Sequence, residues 1–160
     1  MRDSDMRTAA TLDRDAEIYR SISGELVRFA TALVGPDEAA DVVSTVVVRV
    51  LSKRRLADLD EPRPYLYRAV LNEARSNHRR TGRVVVGLPA TLPAAPGAED
   101  HGEVVEAVRR LPQRQRAATY LVYWMGCTTA EAAQLMGART GTVGRYLHLA
   151  RKNMRRVLDA

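Results

Sequence analysis

The sequence holds a single cysteine, Cys127, so no internal disulfide can form, and a reducing compartment suits it. Its three histidines, His78, His101 and His148, are scattered, and none has a cysteine or carboxylate at metal-ligand spacing. No phosphate-binding glycine loop occurs, because Gly137, Gly141 and Gly144 lie in the wrong context. Cys127 follows Gly126 at a helix boundary and reads as structural rather than nucleophilic. These absences argue against an enzyme, a metal site or a cofactor. No run of about 18 apolar residues is present to span a membrane. The opening MRDSDMRTAATLDRD lacks the apolar core of a signal peptide, so a cytoplasmic location is expected. Lysine is scarce as well: Lys53 and Lys152 are the only two among 25 basic residues.

What is present instead is arginine, with a formal net charge of +6. Arginine is the better bidentate partner for phosphate and for guanine, so this balance favours nucleic acid. Genome composition is an equally good source of the bias. At 160 residues the chain can form one ordinary domain or two small ones. Its 46% hydrophobic content allows a core, and its 28% charged content suits a soluble protein.

Helical spacing dominates the pattern. Residues 1–12 are polar and are expected to form a loose tail. From Asp13, the residues Ile18, Ile22, Leu26, Phe29 and Leu33 share one face of a helix that Gly35-Pro36 stops. The next run, Val42, Val43, Val46, Val47, Val48, Val50 and Leu51, is β-branched enough to suggest a strand. Its length, its acidic DEAAD start and its basic SKRR end favour a helix from about Asp37, matched to the helix dipole. Leu56 to Glu61 reads as a loop, and Asp60 is the expected cap of a third helix with Pro62 in its first turn. In PRPYLYRAVLNEARSNHRR, Tyr65, Leu66, Ala69, Val70 and Ala74 are expected to face inward. Interleaved aromatic and basic residues of this kind suit a single-stranded nucleic acid, although a solvated basic face has the same pattern. Thr81 to His101, with three prolines and three glycines, reads as a linker whose VVV can form a short strand.

Past the linker, Val104, Val105, Val108 and Leu111 make a short amphipathic helix. Pro112 starts another, with Ala117, Ala118, Leu121, Val122 and Met125 inward and Gly126 at its end. The stretch TTAEAAQLMGARTGTVGRYLHLARKNMRR then carries the strongest motif. Thr128 and Glu131 form a capping box, Gly137 supplies a left-handed stop, and Thr140 is the expected cap of a second helix. Val143, Leu147, Ala150, Met154 and Leu158 follow at helical spacing. This is a helix-turn-helix, whose second helix can enter a major groove and present Arg139, Thr140, Thr142, Arg145 and Tyr146 to base edges. Arg151, Lys152, Arg155 and Arg156 lie further along, where they can meet phosphate. Gly144 is unusual, since a mid-helix glycine costs about 1 kcal/mol relative to alanine. It either admits close approach to DNA or is simply tolerated.

Taken together, AADVVSTVVVRVL, PRPYLYRAVLNEARSNHRR and LPQRQRAATYLVYWMGCTTAEAAQLMGARTGTVGRYLHLARKNMRRVL resemble the extracytoplasmic-function (ECF) sigma factors of bacterial RNA polymerase. The resemblance runs from Asp13 to Leu158. It implies an all-α fold of two small helical domains joined by a flexible linker: a sigma-2-like module of three or four helices at 13–82, a linker at 83–101, and a sigma-4-like helix-turn-helix module at 102–160. It also implies the partners: core RNA polymerase, through the β′ clamp helices and the β flap, and promoter DNA. An anti-sigma factor clamping the two modules belongs to the same family pattern.

On this sequence the implied polymerase-binding residues are Asp41, Ser44, Thr45, Val48 and Arg49. Those implied for the −10 element are Arg63, Arg68, Asn72, Arg75, Asn77, Arg79 and Arg80. Those for the −35 element are Arg139, Thr140, Thr142, Arg145, Tyr146, Arg151 and Lys152. Sigma factors carry out no bond chemistry themselves. Two departures stand out: Ser44-Thr45 where the family has Gln-Glu, and Gly144 where a polar or basic residue is commoner. The alternative is a polymerase-independent helix-turn-helix regulator, which would normally dimerise, and the sequence offers no obvious dimerisation helix.

Overall fold

The structure, a computed structural model, describes residues 2–81 and 102–160. Those residues are overwhelmingly helical, and no strand occurs among them. The linker expected at 83–101, with its VVV, lies outside the described residues.

Helix α1 spans Arg2–Val34. It starts at Arg2 rather than Asp13, so the tail expected to be loose continues the helix. No glycine or proline occurs before Gly24, and extending an anchored helix is far easier than starting one. The hydroxyls of Thr8 and Thr11 donate to the carbonyls of Ser4 and Arg7 at 2.9 and 2.8 Å. Side chains 4–10 are all exposed, and the first buried one is Asp15. From there Ile22, Leu26, Phe29 and Leu33 enter the core as their spacing requires. Gly35, at φ 86°, breaks the helix, and Pro36 opens α2, Pro36–Leu51.

The valine-rich run is a helix. Val42, Val43, Val46, Val47 and Val50 are buried while Val48 is exposed, a period near 3.6 rather than 2. β-Branching costs a few tenths of a kcal/mol per residue in a helix, whereas burying a valine stabilises by about 1.5 kcal/mol or more. Burial therefore decides. The following loop contains one 3-10 turn, Leu56–Asp58. Leu56 is fully buried there, and the Ala57 N–H donates to Asp15 Oδ1 at 2.9 Å, pinning the loop to α1.

Helix α3 spans Pro62–Thr81. The Glu61 carbonyl accepts from the Tyr65 N–H at 3.2 Å, so the helix begins one residue later than a cap at Asp60 would place it. Its buried arc is wider than the expected stripe. Leu66, Val70 and Ala74 are buried as expected, Tyr67 and Leu71 are buried too, and Tyr65 and Ala69 are only half-buried. The reason is that α3 packs on α1 and α2 and also on a helix of the C-terminal half.

That half contains α4 (Gly102–Arg109), α5 (Gln113–Thr119), α6 (Thr129–Met136) and α7 (Thr140–Leu158). Pro112 caps α5, which widens into a π turn over Tyr120–Trp124 and stops at Gly126, φ 71°. The capping box of α6 forms as expected: the Glu131 N–H donates to the Thr128 hydroxyl at 3.1 Å, and the Thr128 N–H donates to the Glu131 carboxylate at 2.8 Å. Gly137, at φ 62°, ends α6. Thr140 is the first residue of α7 rather than its cap; Arg139 holds the cap position and makes no side-chain capping bond. Val143, Leu147 and Ala150 are buried, and Leu158 is exposed.

The two halves share one core. The Tyr67 ring lies 4.8 Å from Phe29, the Phe29 ring lies 6.1 Å from Tyr120, and the Tyr67 hydroxyl meets Met125 Sδ at 3.5 Å. Tyr67→Ala should therefore destabilise the protein by about 3–5 kcal/mol in urea unfolding. Tyr67→Phe, which loses only a weak bond to sulfur, should cost about 1 kcal/mol or less. Equal costs for the two would contradict burial of the ring.

Candidate nucleic-acid and polymerase interface

Three helix faces point away from the core. On α7, burial of Val143, Leu147 and Ala150 turns the other side outward. Arg139, Thr140, Arg145, Arg151 and Lys152 are exposed there, and Thr142 and Tyr146 are half-buried. A shallow basic depression continues this face, lined by His148, Arg151, Lys152, Arg155, Arg156 and Asp159. Arg151 is partly held in place, donating to the Tyr123 hydroxyl at 3.2 Å. Gly144 is half-buried, yet a Cβ on it would meet nothing within 4 Å, so no contact inside the chain requires glycine.

On α2, Asp41, Ser44, Thr45, Val48 and Arg49 are exposed together. Val48 is 68% exposed, an apolar patch within a polar face, with exposed Leu51 beside it. On α3, Asn72, Arg75, Arg79 and Arg80 are exposed. Arg80 also donates to Asn77 Oδ1 at 3.2 Å, and Asn77, Arg63 and Arg68 make further contacts within the chain. Asn77 donates to the Glu38 carboxylate. Arg63 grips Glu25 with two bonds, Nε to Oε1 at 2.6 Å and Nη2 to Oε2 at 3.2 Å, and lies 5.4 Å from the Tyr67 ring centroid. The bond to Glu25 raises the Arg63 pKa. Arg68 is half-buried against α6, where a Cβ on Gly137 would stand 2.5 Å from its Cδ. The loop before α3 adds a cation–π pair, with Arg54 5.6 Å from the Tyr65 ring centroid.

Three side chains that matter here were not singled out in the sequence. Tyr67 belongs to the shared core. Arg116 is buried; its guanidinium donates to the carbonyls of Leu33 at 3.4 Å and Leu111 at 3.2 Å. Desolvation pulls its pKa down to about 10, so it is still charged at neutral pH and needs both helix-end carbonyls. Glu73, 4% exposed, lies between Arg49 and Arg80. A lone acid inside an arginine-rich helix, seven residues before Arg80, was the available signal for it. Cys127 is half-buried and burial pushes its thiol pKa up, the opposite of an activated nucleophile.

Residues 101–154 match the family described as Sigma-70, region 4. The RNA polymerase sigma-E factor of Streptomyces coelicolor is 29% identical over 157 residues, covering 90% of this chain and 85% of that protein. The ECF RNA polymerase sigma factor EcfG of Rhodopseudomonas palustris is 31% identical over 144 residues, covering 81% of this chain and 77% of that protein. The chain belongs to the ECF sigma factors of RNA polymerase. As a sigma factor it associates with RNA polymerase and directs transcription. Two solved structures share its fold. One is the sigma factor RpoE in complex with the anti-sigma factor NepR from Bartonella quintana, with a TM-score of 0.66, 24% identity, and coverage of 91% of this chain and 96% of that one. The other is CnrH in complex with the cytosolic domain of CnrY, with a TM-score of 0.61, 21% identity, and coverage of 91% and 87%.

Within this sigma factor, the region-4 match contains both helices of the helix-turn-helix and most of the exposed basic face of α7. No described helix is long and apolar enough to cross a membrane. Arg145 is exposed in the second turn of α7, and Arg155 lies near its C-terminal end. Arg145→Ala should reduce discrimination between promoter sequences by about 1–3 kcal/mol. Arg155→Ala should instead weaken binding similarly on all sequences and lower its salt dependence. Quantitative binding of the RNA polymerase holoenzyme to matched and altered upstream elements separates the two. An unchanged sequence preference would remove Arg145 from the set that reads bases.

Proposed function

We propose that this sigma factor docks on the β′ clamp helices of core RNA polymerase through the exposed α2 face of Asp41, Ser44, Thr45, Val48 and Arg49. The loop after α2 and the basic side of α3 then hold the melted non-template strand of the −10 element. The exposed face of α7 reads the duplex −35 element. The apolar groove lined by Val104, Tyr123, Trp124, Leu147, Ala150 and Met154 receives the β flap. Functional boundaries at 13–82, 83–101 and 102–160 fit these roles. The factor acts in the cytoplasm and leaves bond chemistry to the polymerase.

The observation that carries this reading is the set of outward faces on α2, α3 and α7, each exposed where its role requires contact. Val48 and Leu51, exposed one helical turn apart, add an apolar patch to the α2 face. The −10 and −35 elements lie about 25 base pairs, or about 85 Å, apart at 3.4 Å per pair. Arg68 of α3 rests against Gly137 of α6, so the two halves must part for both elements to be engaged. The twenty residues from 82 to 101 can reach about 70 Å when extended. The closed pair is then a resting form. An anti-sigma factor, such as those in the complexes of the two structural relatives, would hold this chain closed.

Reconstitution with core RNA polymerase tests the proposal. The expected result is a stable holoenzyme that starts transcripts at defined sites on genomic fragments sharing two spaced elements. Failure to bind core polymerase, together with tight binding of the isolated chain to duplex DNA, would instead establish a polymerase-independent regulator.

A further inference from the structure

The α2 and α3 faces are joined by one buried carboxylate. Glu73 is 4% exposed, and its two oxygens serve different arginines. Oε2 accepts from Arg49 Nη1 at 2.9 Å, while Oε1 lies 3.7 Å from Arg80 Nη2. Both arginine side chains are more than half exposed, at 55% and 68%. Arg80 also donates to Asn77 Oδ1 at 3.2 Å. A buried carboxylate needs a compensating charge. Here Arg49 supplies the close contact, and Arg80 is left with the loose one.

From this asymmetry we propose that Glu73 is a positioning residue through which Arg49, on the polymerase-facing helix, sets how freely Arg80 can bind a phosphate of the melted strand. With Arg49 in place, Glu73 is neutralised and Arg80 is available to DNA. Without Arg49, the buried charge draws Arg80 inward and away from the strand. The two faces are therefore coupled through three side chains, with no movement of either helix. This coupling rests on the roles proposed above for α2 and α3.

The test uses full-length variants assembled with saturating core polymerase. The probe is a fluorescein-labelled short single-stranded DNA of mixed sequence. Arg49→Ala should weaken strand binding by about tenfold, the scale of one charge-assisted contact. Adding Glu73→Gln should return the affinity to near wild type, because the charge that retracts Arg80 is gone. Adding Glu17→Gln, which removes an exposed acid of α1, should leave it weak. In an Arg80→Ala background, Arg49→Ala should have no further effect. Absence of rescue by Glu73→Gln, or equal rescue by Glu17→Gln, would overturn the coupling. A wild-type chain that forms no holoenzyme would instead refute the roles on which it rests.

Discussion

Tyr67 is the residue on which the arrangement of the two halves depends. Its ring stacks 4.8 Å from Phe29 of α1, and its hydroxyl reaches Met125, beyond the π turn of the C-terminal half. Phe29 in turn approaches Tyr120 at 6.1 Å. Two modules that sequence and family would treat as separate thus bury Phe29, Tyr67 and Tyr120 together. Arg116 reinforces the seam from the polar side, bonding the carbonyl of Leu33 at the end of α1 and that of Leu111 beyond α4. Tyr67 and Arg68 tie the first half of α3 into this seam, while Asn72, Arg75, Arg79 and Arg80, further along the helix, are left to solvent.

The same seam bears on the opening proposed above. Closed, it covers Arg68 and buries the rings of Phe29, Tyr67 and Tyr120. Open, it would expose those rings and leave Arg116 short of one acceptor, at a cost of several kcal/mol. On the proposed reading, core polymerase offsets that cost with contacts available only to the open form, as any ligand that shifts a two-state equilibrium must. The exposed Val48 and Leu51, and the apolar groove beside α7, are surfaces from which such contacts can be drawn.

Much of the fold was legible because local signals agreed. The Thr128–Glu131 capping box, the left-handed Gly137 and the Gly35-Pro36 break each specify their own turn and need no distant partner. The valines of α2 gave conflicting signals, and their burial at helical spacing resolved the conflict. What the sequence concealed came from contacts between distant residues. Tyr67 faces inward because its partners include Met125, 58 residues away, so a stripe drawn for α3 alone misses it. Arg68 looks like its basic neighbours until α6 is placed over it. The start of α7 shifted by one residue: Arg139 takes the cap position although its side chain makes no capping bond, and Thr140 becomes the first helical residue. Glu73 gains its role only when α2 brings Arg49 beside it. Among the candidate site residues, those of α7 and α2 lie where amphipathic spacing puts them, and the contacts of Arg63, Arg68 and Asn77 were visible only in three dimensions.

The most direct test of the closed pair and its opening is the distance between its halves. Spin labels at Arg20 of α1 and Gln134 of α6, both exposed, with Cys127 replaced by alanine, report it in the full chain. The free protein should give one narrow, short distance, and promoter-bound holoenzyme a distance longer by tens of ångströms. The same short distance in both states would contradict opening, and a broad distribution in the free protein would contradict the shared core.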